Sequence, residues 1–157
     1  MAEVVVEREI AASREIVFAM FTDPKLLLQW LGDSAELDPT PGGLFRFTLG
    51  DRDACRGRYV ELDPPRRLVF TWGWERAEAI PVPAGSTVVE VELETIEGGT
   101  RLRLTHRGLD GDAAALHEHG WMRFLARLQA TVAGMDPGAD PWDEDPDQIA
   151  EQIRQEH

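Results

Sequence analysis

The sequence predicts an α+β domain: a curved antiparallel sheet of about six or seven strands, two short helices after the first strand, and one long C-terminal helix across the sheet. Three observations predict it. Successive segments between residues 44 and 107 alternate apolar and polar side chains with short connections between them, as an antiparallel meander does. The run from Pro64 to Trp74, PPRRLVFTWGW, sets Leu68, Phe70, Trp72 and Trp74 on one strand face, and that much bulk either meets a long apolar helix or lines a hollow. From about Asp112 to Val132 apolar residues recur at helical spacing, in the one segment able to cover such a face.

The elements follow in order. Residues 3 to 10, EVVVEREI, carry β-branched side chains and then alternate, which favours a strand. Ser13 can cap a first helix presenting Ile16, Val17, Met20 and Phe21. Asp23-Pro24 ends that helix and begins a second, from Lys25 to Leu31, with Asp as N-cap and Pro in the first turn, where its missing N–H is no loss. Strands are then expected at Leu44 to Leu49, Cys55 to Leu62, Arg67 to Trp74, Thr87 to Ile96 and Thr100 to Arg107, the last two joined by Glu97-Gly98-Gly99. Their inward sets include Phe45 and Phe47, then Val89, Val91 and Leu93, then Leu102, Leu104 and His106. The long helix carries Leu116, Trp121, Phe124, Leu125, Leu128 and Val132 on its stripe and Glu118, Arg123 and Arg127 on its other face, with Gly134 as C-cap. A strongly twisted sheet of this many strands curls, and its concave side needs that helix.

Composition narrows the function. A chain of 157 residues accommodates one domain, read as 1–135, and an acidic tail, 136–157, extended or with a short helix from Gln148 to Gln155. The net charge is −13, and eight acids against one arginine place −7 of it in the tail. Nucleic acid and anionic membranes, which need clustered positive charge, are therefore not expected partners. The single cysteine, Cys55, excludes an internal disulfide and a cysteine-based metal site, and it fits a reducing, cytoplasmic setting. The N-terminal apolar run is too short and too charged for a signal peptide, and no stretch approaches the roughly 20 apolar residues of a membrane span.

Candidate residues each carry two readings. Trp72 and Trp74 either line a ligand pocket or fill core between sheet and helix. His106, inward with Leu102 and Leu104, either orients a ligand and moves a proton or is a core histidine bonded to a backbone carbonyl. Tyr59 either meets a ligand's polar end or lies at a rim with its hydroxyl in water. Glu61 shares the face of Tyr59 if the strand is regular, and a bulge near Gly57 would swap the faces. Cys55 stands in DACRGR, where arginines could lower its pKa. His117 and His119, two apart on a helix, cannot chelate one metal, so no metal site and no catalytic residue is assigned. The Gly pairs serve turns, no phosphate-cradling loop is present, and no cofactor is read. In the tail, Trp142 is an exposed anchor of the kind that seeks a groove in a protein partner.

Several segments in order resemble the family of activators of heat-shock-protein-90 ATPase homologues, within the helix-grip superfamily of START lipid-transfer domains, birch-pollen-allergen-like proteins and polyketide cyclases. They are VEREIAAS with VFAMFTDP, LLLQWLG, GGLFRFTLG, ELDPPRRLVFTW, GGTRLRLTHRGL and the pattern of Gly120, Trp121, Phe124, Leu125 and Leu128, and together they cover residues 3 to 134. The resemblance implies a START-like helix-grip domain with a cavity between the sheet and the last helix. The expected occupant is a small, largely apolar molecule, and the expected lining is Trp30, Phe45, Phe47, Tyr59, Phe70, Trp72, Trp74, His106, Trp121, Phe124 and Leu125, in a non-enzymatic protein. It also implies two alternatives: a chaperone-activating, stress-response protein that meets its partner through surface and tail, and a cyclase or dehydratase using His106 with Tyr59 or Glu61. Monomer and homodimer both stay open, an exposed edge strand or the Trp142 segment being what could make a dimer. Fold analogy does not choose among them.

Overall fold

The alternating segments pair as a meander. The computed structural model describes residues 2–76 and 82–136; the helix read at 148–155, Trp142 and nearly all of the acidic tail lie outside them. The order is β1 (Ala2–Ile10), α1 (Arg14–Ala19), α2 (Pro24–Leu27), β2 (Ser34–Leu37), β3 (Leu44–Leu49), β4 (Asp53–Asp63), β5 (Arg67–Trp72), β6 (Thr87–Ile96), β7 (Gly99–Leu109) and α3 (Gly111–Val132). The curved sheet runs β1-β7-β6-β5-β4-β3-β2 with every pairing antiparallel, so β1 closes beside β7 and β2 forms the far edge.

Local chemistry places the ends of these elements. The Ser13 side chain accepts the Ile16 N–H at 3.3 Å, and Asp23 accepts the Lys25 N–H at 2.9 Å with Pro24 in the first turn. At the far end of α3, Gly134 N–H donates to Thr131 O at 3.1 Å and Met135 N–H to Ala130 O at 2.8 Å, while Gly134 adopts a φ of 75°. That is a Schellman closure, which needs the left-handed backbone glycine allows. The Pro64–Pro65 bond is cis, and Arg66 N–H closes the turn onto Asp63 O at 2.8 Å.

Five details differ from expectation. β2 was not foreseen, because Ser34–Leu37 is four residues long and carries only Ala35 and Leu37 as apolar signal. α2 ends at Leu27 rather than Leu31, and the chain passes into a tight turn in which Trp30 N–H bonds Leu27 O. Ile16 is 51% exposed; Val17, Phe18, Met20 and Phe21 supply the buried side of α1 and the turn after it. β5 stops at Trp72, and Trp74 is held by isolated bridges to Cys55 and Pro83. Arg127, expected on the solvent face of α3, is buried, and its Nε–H donates to Trp30 O at 3.3 Å.

The faces of β4 are set by a bulge after Tyr59. Tyr59 pairs with Phe70 and Glu61 with Val69, so Val60 is the extra residue, 54% exposed, and Glu61 turns outward. Gly57 is not the bulge. A Cβ there would stand 1.8 Å from Thr71 O, so only glycine lets β4 approach β5 at that point.

Candidate functional site

The inner face of the sheet gathers most of the residues expected there into one contiguous set of rings beneath α3. Phe45 from β3 stacks on Phe70 from β5 at 4.2 Å and meets Phe47 and Tyr59 edge-on at 5.9 and 5.6 Å. Trp72 stands at the centre, with ring centroids 5.4 Å from Phe47 and Trp74, 5.6 Å from His106 and 4.8 Å from Trp121 of α3. Trp30 lies apart from this group and packs edge-on against Phe21 at 5.0 Å. Phe124 and Leu125 extend the buried stripe of α3.

Packing there is close. Trp30, Phe45, Phe47, Tyr59, Phe70, His106 and Leu125 all have 0% exposure, so each is enclosed by other protein atoms. Trp74, Ala113, Ala114 and Leu116 are among the partly buried residues that pack against this core.

Hydrogen bonds tie these rings together across four elements. Trp121 Nε1–H donates to His106 Nδ1 at 3.0 Å. An indole nitrogen can only donate, so His106 carries its proton on Nε2, and that N–H donates to Thr87 Oγ1 at 2.8 Å. Thr87 then donates to Trp72 O at 2.9 Å, completing a chain from α3 through β7 and β6 to β5. His106 is therefore bonded to side chains rather than to a backbone carbonyl, and neither ring nitrogen is left for a carboxylate partner.

A second imidazole repeats the arrangement. Trp74 Nε1–H donates to His117 Nε2 at 3.1 Å, and His117 Nδ1–H donates to Ala113 O at 2.7 Å. The two histidine rings lie 5.2 Å apart. Burial, together with the repulsion of His117, pushes His106 down to about 2. Burial lowers His117 to about 4, against an opposing effect of its bond to Ala113 O. Both are neutral near pH 7.

Reading the sequence missed His117 and Thr87. In the sequence His117 stands out only as a metal-ligand type, yet it precedes Trp121 by four residues and Phe124 by seven, on the same helical stripe. Thr87 lies two residues before Val89 and so shares its inward face.

The remaining candidates are placed differently from either reading. Tyr59 is wholly buried and its hydroxyl donates to Phe21 O at 2.8 Å, which fixes the α1–α2 turn to the sheet, and burial raises its pKa well above the ordinary value. Glu61 is exposed and pairs with Arg67 at 2.6 Å, so it does not join Tyr59. Cys55 is buried and burial pushes its thiol up, against the lowering expected from neighbouring arginines. Among the described residues no group of three or more His, Cys, Asp or Glu is arranged to hold a metal ion. Among them, too, no helix is long and apolar enough to cross a membrane.

One polar atom in the ring cluster has no partner. Among the described tryptophans, Trp30 donates to Met20 O at 3.0 Å, Trp74 to His117 and Trp121 to His106, whereas the buried Nε1–H of Trp72 donates to nothing.

The family described as Activator of Hsp90 ATPase homolog 1-like protein matches residues 11–133. The chain belongs to this family. The AHSA1-like protein of Rhizobium etli, solved by solution NMR, is 43% identical with a TM-score of 0.67, over 89% of this chain and 88% of that one. A crystal structure of a Mesorhizobium loti protein is 25% identical with a TM-score of 0.75, over 86% and 99%. The solution structure of the Aha1 dimer from Colwellia psychrerythraea, at 21% identity and a TM-score of 0.72 over 84% and 96%, shares the fold. No curated protein matches the chain. This member of the family is thus a helix-grip domain with its aromatic side turned toward the last helix.

Proposed function

We propose that this domain is a non-enzymatic binder of a small, largely apolar molecule, held between the sheet and α3 in a cytoplasmic setting. The observation that carries the reading is the ring cluster itself: at least nine aromatic or imidazole rings linked in one network, drawn from β3, β4, β5, β7, α3 and Trp74. Ligand sites on such folds are mostly apolar with a few polar groups that orient the guest. The rings touch one another, so a guest enters by parting the first turns of α3 from Trp74 and takes the place of ring-to-ring contacts. Both histidines are neutral and bonded at both nitrogens, an arrangement suited to shape and orientation rather than proton transfer.

Native mass spectrometry of the protein purified from its own host tests this. Bound mass beyond the polypeptide, lost on denaturation, is expected; a bare polypeptide under gentle conditions contradicts it.

A second reading draws on the family's description: partner binding of the chaperone-activator kind, through the surface and residues 136–157. Stimulation of an Hsp90-type ATPase, weakened by deleting 136–157, would favour it. The Colwellia structure is described as a dimer, and sedimentation analysis decides between monomer and homodimer for this chain.

A further inference from the structure

A buried donor left unpaired is destabilising relative to a satisfied one, because its lost water is not replaced. The interior contains one at its centre. Trp72 is 3% exposed, and its indole N–H is the one among the described tryptophans without an acceptor, although Trp74 and Trp121 on either side of it both have imidazole partners. The nearby acceptors are already used: His106 Nδ1 takes Trp121, His117 Nε2 takes Trp74, and Trp72's own carbonyl takes Thr87. The rings around it come from Phe45, Phe47, Phe70, Trp74 and Trp121 and the two imidazoles.

We infer that the guest of this site carries one neutral hydrogen-bond acceptor, a carbonyl or ether oxygen set on an apolar body, and that Trp72 Nε1–H is the contact that selects it. The inference rests on the binding reading above and names its ligand class. A neutral acceptor is favoured over a carboxylate because none of the rings around Trp72 bears a positive charge, and an unpaired anion taken out of water there would be expensive. Both imidazoles already have their protons committed to Thr87 and Ala113, so neither is available to neutralise one.

The test is a chemical cycle on the full chain. Acetophenone and α-methylstyrene have the same shape and differ by an oxygen in place of a methylene; benzoate supplies the anion. Each is titrated by NMR against the natural protein and against protein in which Trp72 is replaced by 3-benzothienyl-L-alanine, which keeps the ring's shape and has sulfur where the N–H stood. Loss of the N–H should weaken acetophenone about tenfold and leave α-methylstyrene within about twofold, the worth of one buried hydrogen bond. In the natural protein acetophenone should also move the Trp72 indole N–H resonance downfield, a readout that needs no variant; the resonance is assigned by its loss in Trp72→Phe. Benzoate should bind more weakly than acetophenone. Equal weakening of the two neutral probes, an unmoved Trp72 resonance, or benzoate binding tightest would each overturn the inference while the binding reading stands. Failure of all three probes to bind would overturn both.

Discussion

The two faces of the sheet are written in alternate residues of the same strands, yet they are held by different physics. On β6 and β7 the inward residues Val89, Val91, Leu93, Leu102, Leu104 and His106 are buried, while the outward Glu90, Glu92, Glu94, Arg101, Arg103 and Arg107 form a ladder with β1. Arg107 pairs with Glu3 at 3.0 Å and with Glu90, and Arg101 lies 3.7 Å from Glu9 and 3.4 Å from Glu94. The ladder follows the register, since Glu3, Glu7 and Glu9 stand directly opposite Arg107, Arg103 and Arg101. Burial and close packing make the inner face energetically dominant and intolerant. Charges in water make the outer face a weak stabiliser that penalises wrong registers, because a one-residue slip carries glutamates and arginines inward.

That contrast can be broken at its strong side first. Trp121→Ala removes the ring that joins α3 to Trp72 and His106, and it should cost about 3–5 kcal/mol, read as a fall in Tm on the order of 10 °C or more. A loss of under about 1 kcal/mol would mean that α3 is not fastened through this ring.

The buried imidazoles give the next effect. Their folded pKa values, about 2 for His106 and about 4 for His117, lie below the unfolded value of about 6.5. The unfolded chain therefore binds more protons under mild acid, so the stability held above pH 6.5 is lost as pH falls. By pH 4.5 each histidine should have removed about 2–3 kcal/mol. Chemical denaturation of His117→Gln between pH 7 and 4.5 should show a shallower decline than the natural protein; parallel declines would contradict the neutral, bonded state.

Tyr59→Phe sharpens the comparison at a smaller scale. It strands the Phe21 carbonyl without its 2.8 Å partner and should cost about 1–3 kcal/mol, with urea unfolding as the measure. Arg103→Ala on the outer face, whose guanidinium lies 3.8 Å from Glu7, should cost under about 1 kcal/mol, and 1 M salt should shrink the difference.

Much of this was legible in the sequence for a local reason. Period-two alternation reports which side of a strand is buried, so Phe45, Phe47, Phe70, Trp72 and His106 could be assigned to one face without coordinates. The Ser13 and Asp23 caps and the Gly134 closure are equally local. What escaped depends on partners distant in the chain. The Val60 bulge that sends Glu61 outward exists only as a mismatch between β4 and β5. Arg127 looks like a solvent residue until Trp30 O is found beside it. The solitary N–H of Trp72 is defined by which acceptors its neighbours have taken, and alternation says nothing of that.

The central claim, a guest seated beneath α3 among these rings, is tested most directly by indole NMR. Spectra of the protein as isolated from its own host are compared with spectra after unfolding, solvent extraction and refolding. The account predicts that the Trp72, Trp74 and Trp121 indole resonances shift while Trp30, apart with Phe21, stays in place. Superimposable spectra for all four would contradict it.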